Sequence, residues 1–191
     1  MDIIKTNIDS YIEDVLDFNI IEFSDIPNID LYMDQVTTFM QDNYESIKRF
    51  PDDKVLTKTM INNYAKARLF PAPIKKKYTK NHIMLLILIY HLKFLLSIND
   101  INKLLKPITA DLKVNEHSPI LESIYNNFVL LQKKIKNNLS YSLDDALNDQ
   151  DLVEFKGNVK IDMKYMVTIL YFSIQANANR RIAEKILDNN F

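Results

Sequence analysis

The sequence predicts an all-α protein with, at most, one very short hairpin, and three observations carry that prediction. A single glycine, Gly157, and six prolines occur among 191 residues, whereas sheet-rich folds need many glycine-bearing turns. Hydrophobic residues make up 47% of the chain and aromatics 10%, enough to bury a sizeable core. Those apolar residues recur at three- and four-residue spacing along most of the chain, as helices with one buried face require.

Asp9 to Phe18 reads as a short amphipathic helix, and "FSDIPNID" as a connector with Pro27 near its end. Ile29, Tyr32, Met33, Val36, Phe39, Met40 and Tyr44 predict a helix from Ile29, after which "KRFPDDK" is a polar connector. Thr57 can N-cap the helix in "LTKTMINNYAKARLF", where Met60, Ile61 and Tyr64 share one face. Thr79 caps a long helix through Leu96; Ser97 then starts a short one, "INDINKLL", which Pro107 terminates. Farther on, Ile120, Ile124, Phe128, Leu131 and Ile135 form an apolar stripe, and Ser142 with Asp145 reads as the capping box of another helix. Between Tyr165 and Ile174 the last helix is nearly apolar all round, which demands complete burial, in a C-terminal bundle or against a second subunit.

Several function classes are excluded at this level. "IMLLILIYHLKFLL", Ile83 to Leu96, is shorter than the roughly 20 residues that cross a bilayer and carries His91 and Lys93, so it reads as a buried core helix. The opening "MDIIKTNIDSYIEDVLDF" lacks the basic region and apolar run of a secretory signal, and a cytoplasmic location is expected. Without cysteine there is no disulfide, thiolate metal site or cysteine nucleophile. One glycine rules out glycine-rich phosphate loops and dinucleotide fingerprints. His82 and His91 stand about 180° apart on one helix and cannot converge on a metal, while His117 sits alone in a loop. Capping and solvation account for Asp52-Asp53 and Asp144-Asp145 better than acid–base chemistry does. No enzyme activity, cofactor or metal is expected.

Charge is distributed unevenly. Residues 1–53 carry three Lys/Arg against thirteen Asp/Glu, residues 54–106 eleven against one, and residues 107–191 ten against eleven. A middle segment with Asp100 as its only acid points to a polyanion partner; the alternative is that the acidic first segment neutralises it. The helix after Thr57 places Lys58, Asn62, Lys66, Thr59 and Asn63 within an arc of about 140° opposite its apolar face, with no acid among them. Asn can pair with an adenine edge, Lys can reach guanine or phosphate, and Thr can touch a thymine methyl. Downstream, "PAPIKKKYTKNH" sets Lys75, Lys76 and Lys77 before a helix start that carries Lys80, Asn81 and His82 where acids are usual. Free N–H groups, helix dipole and lysines together form an arrangement suited to phosphate.

Leu56 to Leu105 resembles the MerR-type helix-turn-helix, in which a recognition helix, a Leu-Leu-Pro corner, a basic wing and two further helices follow one another. The matching features are Ile61 with Tyr64, Leu69-Phe70-Pro71, Lys75 to Lys77, Tyr78-Thr79, and Ser97-Ile98 with Ile101. With "IPNIDLYMDQVTTFM" upstream, residues 26–107 are similar to domain-of-unknown-function family 1836, a bacterial group with a MerR-like DNA-binding region. Asn62 stands where the MerR pattern usually has arginine, Arg68 where it has glycine, and the wing is short. A glycine-type turn at Arg68 would require an uncommon, mildly costly positive φ.

The resemblance implies a winged helix-turn-helix domain over residues 26–108, while the apolar patterning on either side predicts a helical extension (1–25) and a C-terminal helical bundle (116–191) for dimerisation or an effector. The resemblance also implies a sequence-specific double-stranded-DNA-binding protein, a transcriptional regulator acting as a homodimer. Lys58, Thr59, Asn62, Asn63 and Lys66 would read bases, and Lys75, Lys76, Lys77, Tyr78 and Lys80 would hold phosphate; Arg68 fits either role and is grouped with the phosphate contacts. No metal or drug response is implied, since no cysteine sensor motif is present. The alternative function is a non-enzymatic helical adaptor assembled through the acidic and basic segments.

Overall fold

The computed structural model describes residues 11, 13–16, 18–115, 118–147 and 163–191. Strand β1 (Leu31–Tyr32) leads into helix α1 (Met33–Tyr44); α2 (Lys58–Lys66), β2 (Lys77–Tyr78), α3 (Lys80–Leu92), α4 (Ile98–Asp111), α5 (Pro119–Leu147) and α6 (Met163–Asn190) follow. Single 3-10 turns occur at Phe23–Asp25 and Glu45–Ile47. The described chain is thus predominantly helical with one two-stranded sheet.

The helix expected from Ile29 begins only at Met33. Leu31 and Tyr32 instead pair antiparallel with Tyr78 and Lys77, a distant partnership that local periodicity does not reveal. Gln35 Oε1 accepts the Tyr32 N–H at 2.8 Å and fixes the α1 start. From there the three-to-four spacing holds, and Val36, Met40 and Tyr44 are buried.

Helix α3 forms the centre of the core. Nine consecutive residues, His82 to Tyr90, are buried, so neighbours cover it on all sides. It ends at Leu92 rather than Leu96. Ser97 needs an extended backbone (ψ 159°) to cap α4, where its Oγ accepts the Asp100 N–H at 3.2 Å, and the chain must leave α3 before that. At the end of α3, His91 Nε2 lies 3.1 Å from the Tyr44 hydroxyl, and burial pushes the His91 pKa down to about 4.

Pro107 does not terminate α4, which continues to Asp111. The buried stripe Ile101, Leu105 and Ile108 crosses the proline; burying Ile108 offsets part of the cost of one missing N–H. At the far end Asp111 accepts from Asn115 Nδ2 at 2.6 Å and from the Ser118 hydroxyl, while Ser118 Oγ accepts the Leu121 N–H at 3.1 Å. One carboxylate therefore joins the end of α4 to the cap of α5.

On α5 the structure buries Leu121, Tyr125, Val129 and Gln132, and leaves Ile120, Ile124, Leu131 and Ile135 exposed. The expected stripe is thus the outer half of a wider apolar arc, with Phe128 at the boundary. The helix also runs unbroken through Ser142, so no new helix starts there. In α6, Ile169 and Ile174 are 64% and 69% exposed, contrary to the complete burial expected of that segment.

Among the described residues a hydrophobic cluster runs from Ile21 to Val129. Tyr125 closes it by donating its hydroxyl to the Ile21 carbonyl at 2.8 Å. Truncating one of its fully buried aliphatics, such as Leu69 or Leu85, costs about 2–5 kcal/mol by loss of transfer energy plus cavity formation. Among the described residues no helix is long and apolar enough to cross a membrane, and no group of His, Cys, Asp and Glu could hold a metal ion. His117 lies outside the described residues.

Candidate nucleic-acid interface

Thr57 starts α2 by accepting the Met60 N–H on its Oγ1 at 3.1 Å. Ile61 and Tyr64 then anchor the helix in the core. That anchoring turns Lys58, Thr59, Asn62, Asn63 and Lys66 outward, and all five are exposed. The outward face is not isolated from acids: Asp34, in the first turn of α1, forms an ion pair with Lys58. Both side chains are exposed, and such pairs contribute about 0–1 kcal/mol and yield readily to a stronger anion.

The corner after α2 is a Schellman turn. Arg68 N–H donates to the Ala65 carbonyl and Leu69 N–H to the Tyr64 carbonyl, each at 3.0 Å, with Tyr64 and Leu69 both buried. The turn requires a left-handed residue, and Arg68 supplies it with φ 59°. The positive φ that a glycine-type turn demands is therefore present without glycine. Asn102 on α4 holds the corner from outside, donating to the carbonyls of Ala67 at 2.7 Å and Arg68 at 3.3 Å.

The wing is a two-residue reverse turn. Lys77 N–H donates to the Ile74 carbonyl at 2.9 Å, and the two residues between, Lys75 and Lys76, have φ 50° and 64°. Positive φ at both central positions is the primed hairpin turn that ordinarily selects Asn-Gly. Each left-handed lysine costs roughly 1 kcal/mol relative to glycine. Among the described residues every non-glycine position with positive φ, Arg68, Lys75 and Lys76, is a cation.

Three of the expected phosphate contacts sit elsewhere than the open tip. Lys77 belongs to β2, its ammonium 5.5 Å from the Tyr32 ring centroid. Tyr78 is only 3% exposed, its ring packed edge-on against Phe70 and His82, so it serves the core and is not part of the outer surface. Lys80 lies 3.7 Å over the Phe23 ring and donates to Asn28 Oδ1 at 3.1 Å. The start of α3 therefore opens onto a groove of about 1170 Å³ shared with Phe23, Asn28 and Asp30, whose lining includes none of the three wing lysines.

The α2 and wing surfaces meet at one place. Lys58 pairs with Asp34 and Lys77 covers Tyr32, so the start of α2 and the base of the wing rest on the same short segment, where β1 passes into the first turn of α1. Asp34 and Asn102 escape sequence reasoning, because no local pattern marks a long-range partner. Thr79-x-x-His82 does carry a signal: it has capping-box spacing, with histidine in the place of the usual Glu or Gln.

Comparison with curated proteins and with solved structures finds no match. The model of the family described as a domain of unknown function, DUF1836, matches residues 21–128, more than half of the chain and nearly the full extent of its core cluster. The protein belongs to the DUF1836 family.

Proposed function

We propose that the protein is a non-enzymatic, sequence-specific double-stranded-DNA-binding protein of the cytoplasm, a transcriptional regulator with a MerR-like helix-turn-helix. In this reading α2 enters the major groove, while Arg68, Lys75 and Lys76 hold phosphate from the corner and the wing. The observation that carries it is the α2 surface: five exposed polar or cationic side chains with no acid of their own, turned outward by the burial of Ile61 and Tyr64. The left-handed cations support it, because residues kept at conformational cost cluster at functional sites. Base contacts come from Lys58, Thr59, Asn62, Asn63 and Lys66. Binding to duplex pools at low salt, followed by sequencing of the bound fraction, tests the reading; folded protein that retains no duplex overturns it.

The exposed α5 stripe favours a homodimer as the DNA-binding unit. Ile120, Ile124, Leu131 and Ile135 follow a 4-7-4 spacing that reads the same in both directions. An antiparallel second copy therefore sets Ile120 against Ile135 and Ile124 against Leu131, the self-complementarity a two-fold interface requires. The same stripe is what an adaptor would use on another protein, and a monomer of unchanged mass at high concentration would favour that second reading.

A further inference from the structure

We infer that His82 is the positioning residue of the wing: its imidazole clasps both ends of the 72–78 loop and so fixes the direction in which Lys75 and Lys76 project. The Nε2–H donates to the Pro71 carbonyl at 3.0 Å, where the loop leaves the corner. On the opposite side of the ring, Nδ1 accepts the Thr79 N–H at 3.0 Å, where the loop enters α3. A carbonyl cannot donate and a backbone N–H cannot accept, so the two contacts together specify the neutral ring with its proton on Nε2. Phe70 and Tyr78 hold the ring edge-on, with centroids 5.9 and 5.7 Å away. Between the clasped ends the loop keeps two left-handed lysines, a conformation that persists only where the surroundings over-determine it.

The clasp depends on protonation. A second proton would fall on Nδ1; Thr79 Oγ1, 2.8 Å away, could accept it, but the Thr79 N–H would lose its acceptor. Burial holds the His82 pKa below the ordinary histidine value, against opposing contributions from the Pro71 carbonyl and from Asp30. The other charged or titratable groups are Tyr78 on β2, in contact with the ring, and Lys80, Lys113 and Glu122, which line the same groove as His82. Because the neutral form is the folded one, the clasp is complete above about pH 6.5 and loosens as pH falls below that.

This deepens the DNA-binding reading, on which the purpose of the lysines rests, but the clasp itself is a property of the free protein and is measured without DNA. Amide hydrogen exchange, read residue by residue at Lys77 and Thr79 for the wild type, His82→Gln and His82→Ala at pH 7.5 and pH 5, separates the outcomes. Glutamine carries an acceptor and a donor like the neutral ring and does not titrate. We expect His82→Ala to exchange about tenfold faster at both amides, His82→Gln to stay near wild type at pH 7.5, and the wild type to lose more protection than His82→Gln at pH 5 after correction for intrinsic exchange, since any acid effect of His91 is common to both. If only Thr79 responds, His82 is a helix cap and nothing more, and the inference fails. It also fails if wild type and His82→Gln respond identically to acid, a comparison that holds even if the alanine variant does not fold. Protection changes as expected with no duplex binding would leave the clasp intact and remove only the DNA reading.

Discussion

The Asn102 side chain on α4 donates to the Ala67 carbonyl at 2.7 Å, tying off the corner that follows α2. A helix end leaves carbonyls without intrahelical partners, and here a residue far along the chain supplies one. Asn102→Ala should lower stability by about 1–2 kcal/mol. Asn102→Asp keeps the shape but removes both donors, and should cost at least as much. Unchanged urea midpoints for both variants would mean that the Schellman bonds alone hold the corner.

The left-handed cations set stability against binding. Glycine at Arg68, Lys75 or Lys76 relieves the steric cost of positive φ, less the added entropy of the unfolded chain, a net gain of roughly 0.5–1 kcal/mol each. The same variants should bind duplex DNA more weakly. Thermal denaturation together with a binding titration reads both effects, and glycine variants that gain stability at no loss of affinity would detach these residues from the interface.

Replacing Lys75, Lys76 and Lys77 by alanine should flatten the salt dependence of binding, by about 0.9 in the log–log slope for each phosphate no longer neutralised. The exposed turn lysines are expected to account for most of that change, with Lys77 contributing less because it packs on Tyr32. Asn62→Ala should instead relax sequence preference, costing about 1–3 kcal/mol on the best site and little on non-specific DNA. A uniform loss across sequences would make Asn62 a backbone contact.

Acid should destabilise the fold through His91. Its neutral ring is the folded form, with a pKa held at about 4 by burial, so its contribution is complete above about pH 6.5 and is lost as pH falls toward 4. Between pH 6.5 and 5, where carboxylates change little, the loss should be on the order of 2 kcal/mol. Urea denaturation across that interval should show the decline in the wild type and a flatter line in His91→Gln, with His82 acting in the same direction.

If two copies pair through α5, Leu131→Glu should yield a monomer by light scattering at concentrations where the wild type is a dimer. Leu131 is exposed in the single chain, so its substitution should shift the stability by no more than about 0.5 kcal/mol. A wild-type monomer across the accessible range removes the stripe from the dimer interface.

Much of the helical order is legible in the sequence because the determinants are local. Thr57, Thr79 and Ser97 mark the starts of α2, α3 and α4, and Ile61 with Tyr64 fixes which side of α2 is buried. What is not legible depends on partners remote in sequence. Leu31 and Tyr32 leave the helical pattern because β2 offers them hydrogen bonds. Periodicity misplaces the α5 stripe because the apolar arc is wider than the core it faces; it shows that a face is apolar without showing which half is covered. Pro107 reads as a stop because its own backbone chemistry says so, but the buried stripe of Ile101, Leu105 and Ile108 continues across it and the burial of Ile108 offsets part of its cost. On the candidate site, the outward α2 residues follow from local patterning, whereas the confinement of Tyr78 and Lys80 arises from Phe70, Phe23 and Asn28, none of which periodicity could assign to them.

Asn102 near the start of α4 and Asp111 at its end make that helix a strut between two joints. They stand roughly 14 Å apart along its axis, at the helical rise of about 1.5 Å per residue. One joint grips the corner behind α2; the other grips the first turn of α5. The corner after α2 and the start of α5 are thereby joined through one helix, and the proline in its shaft is the place where the strut would bend first.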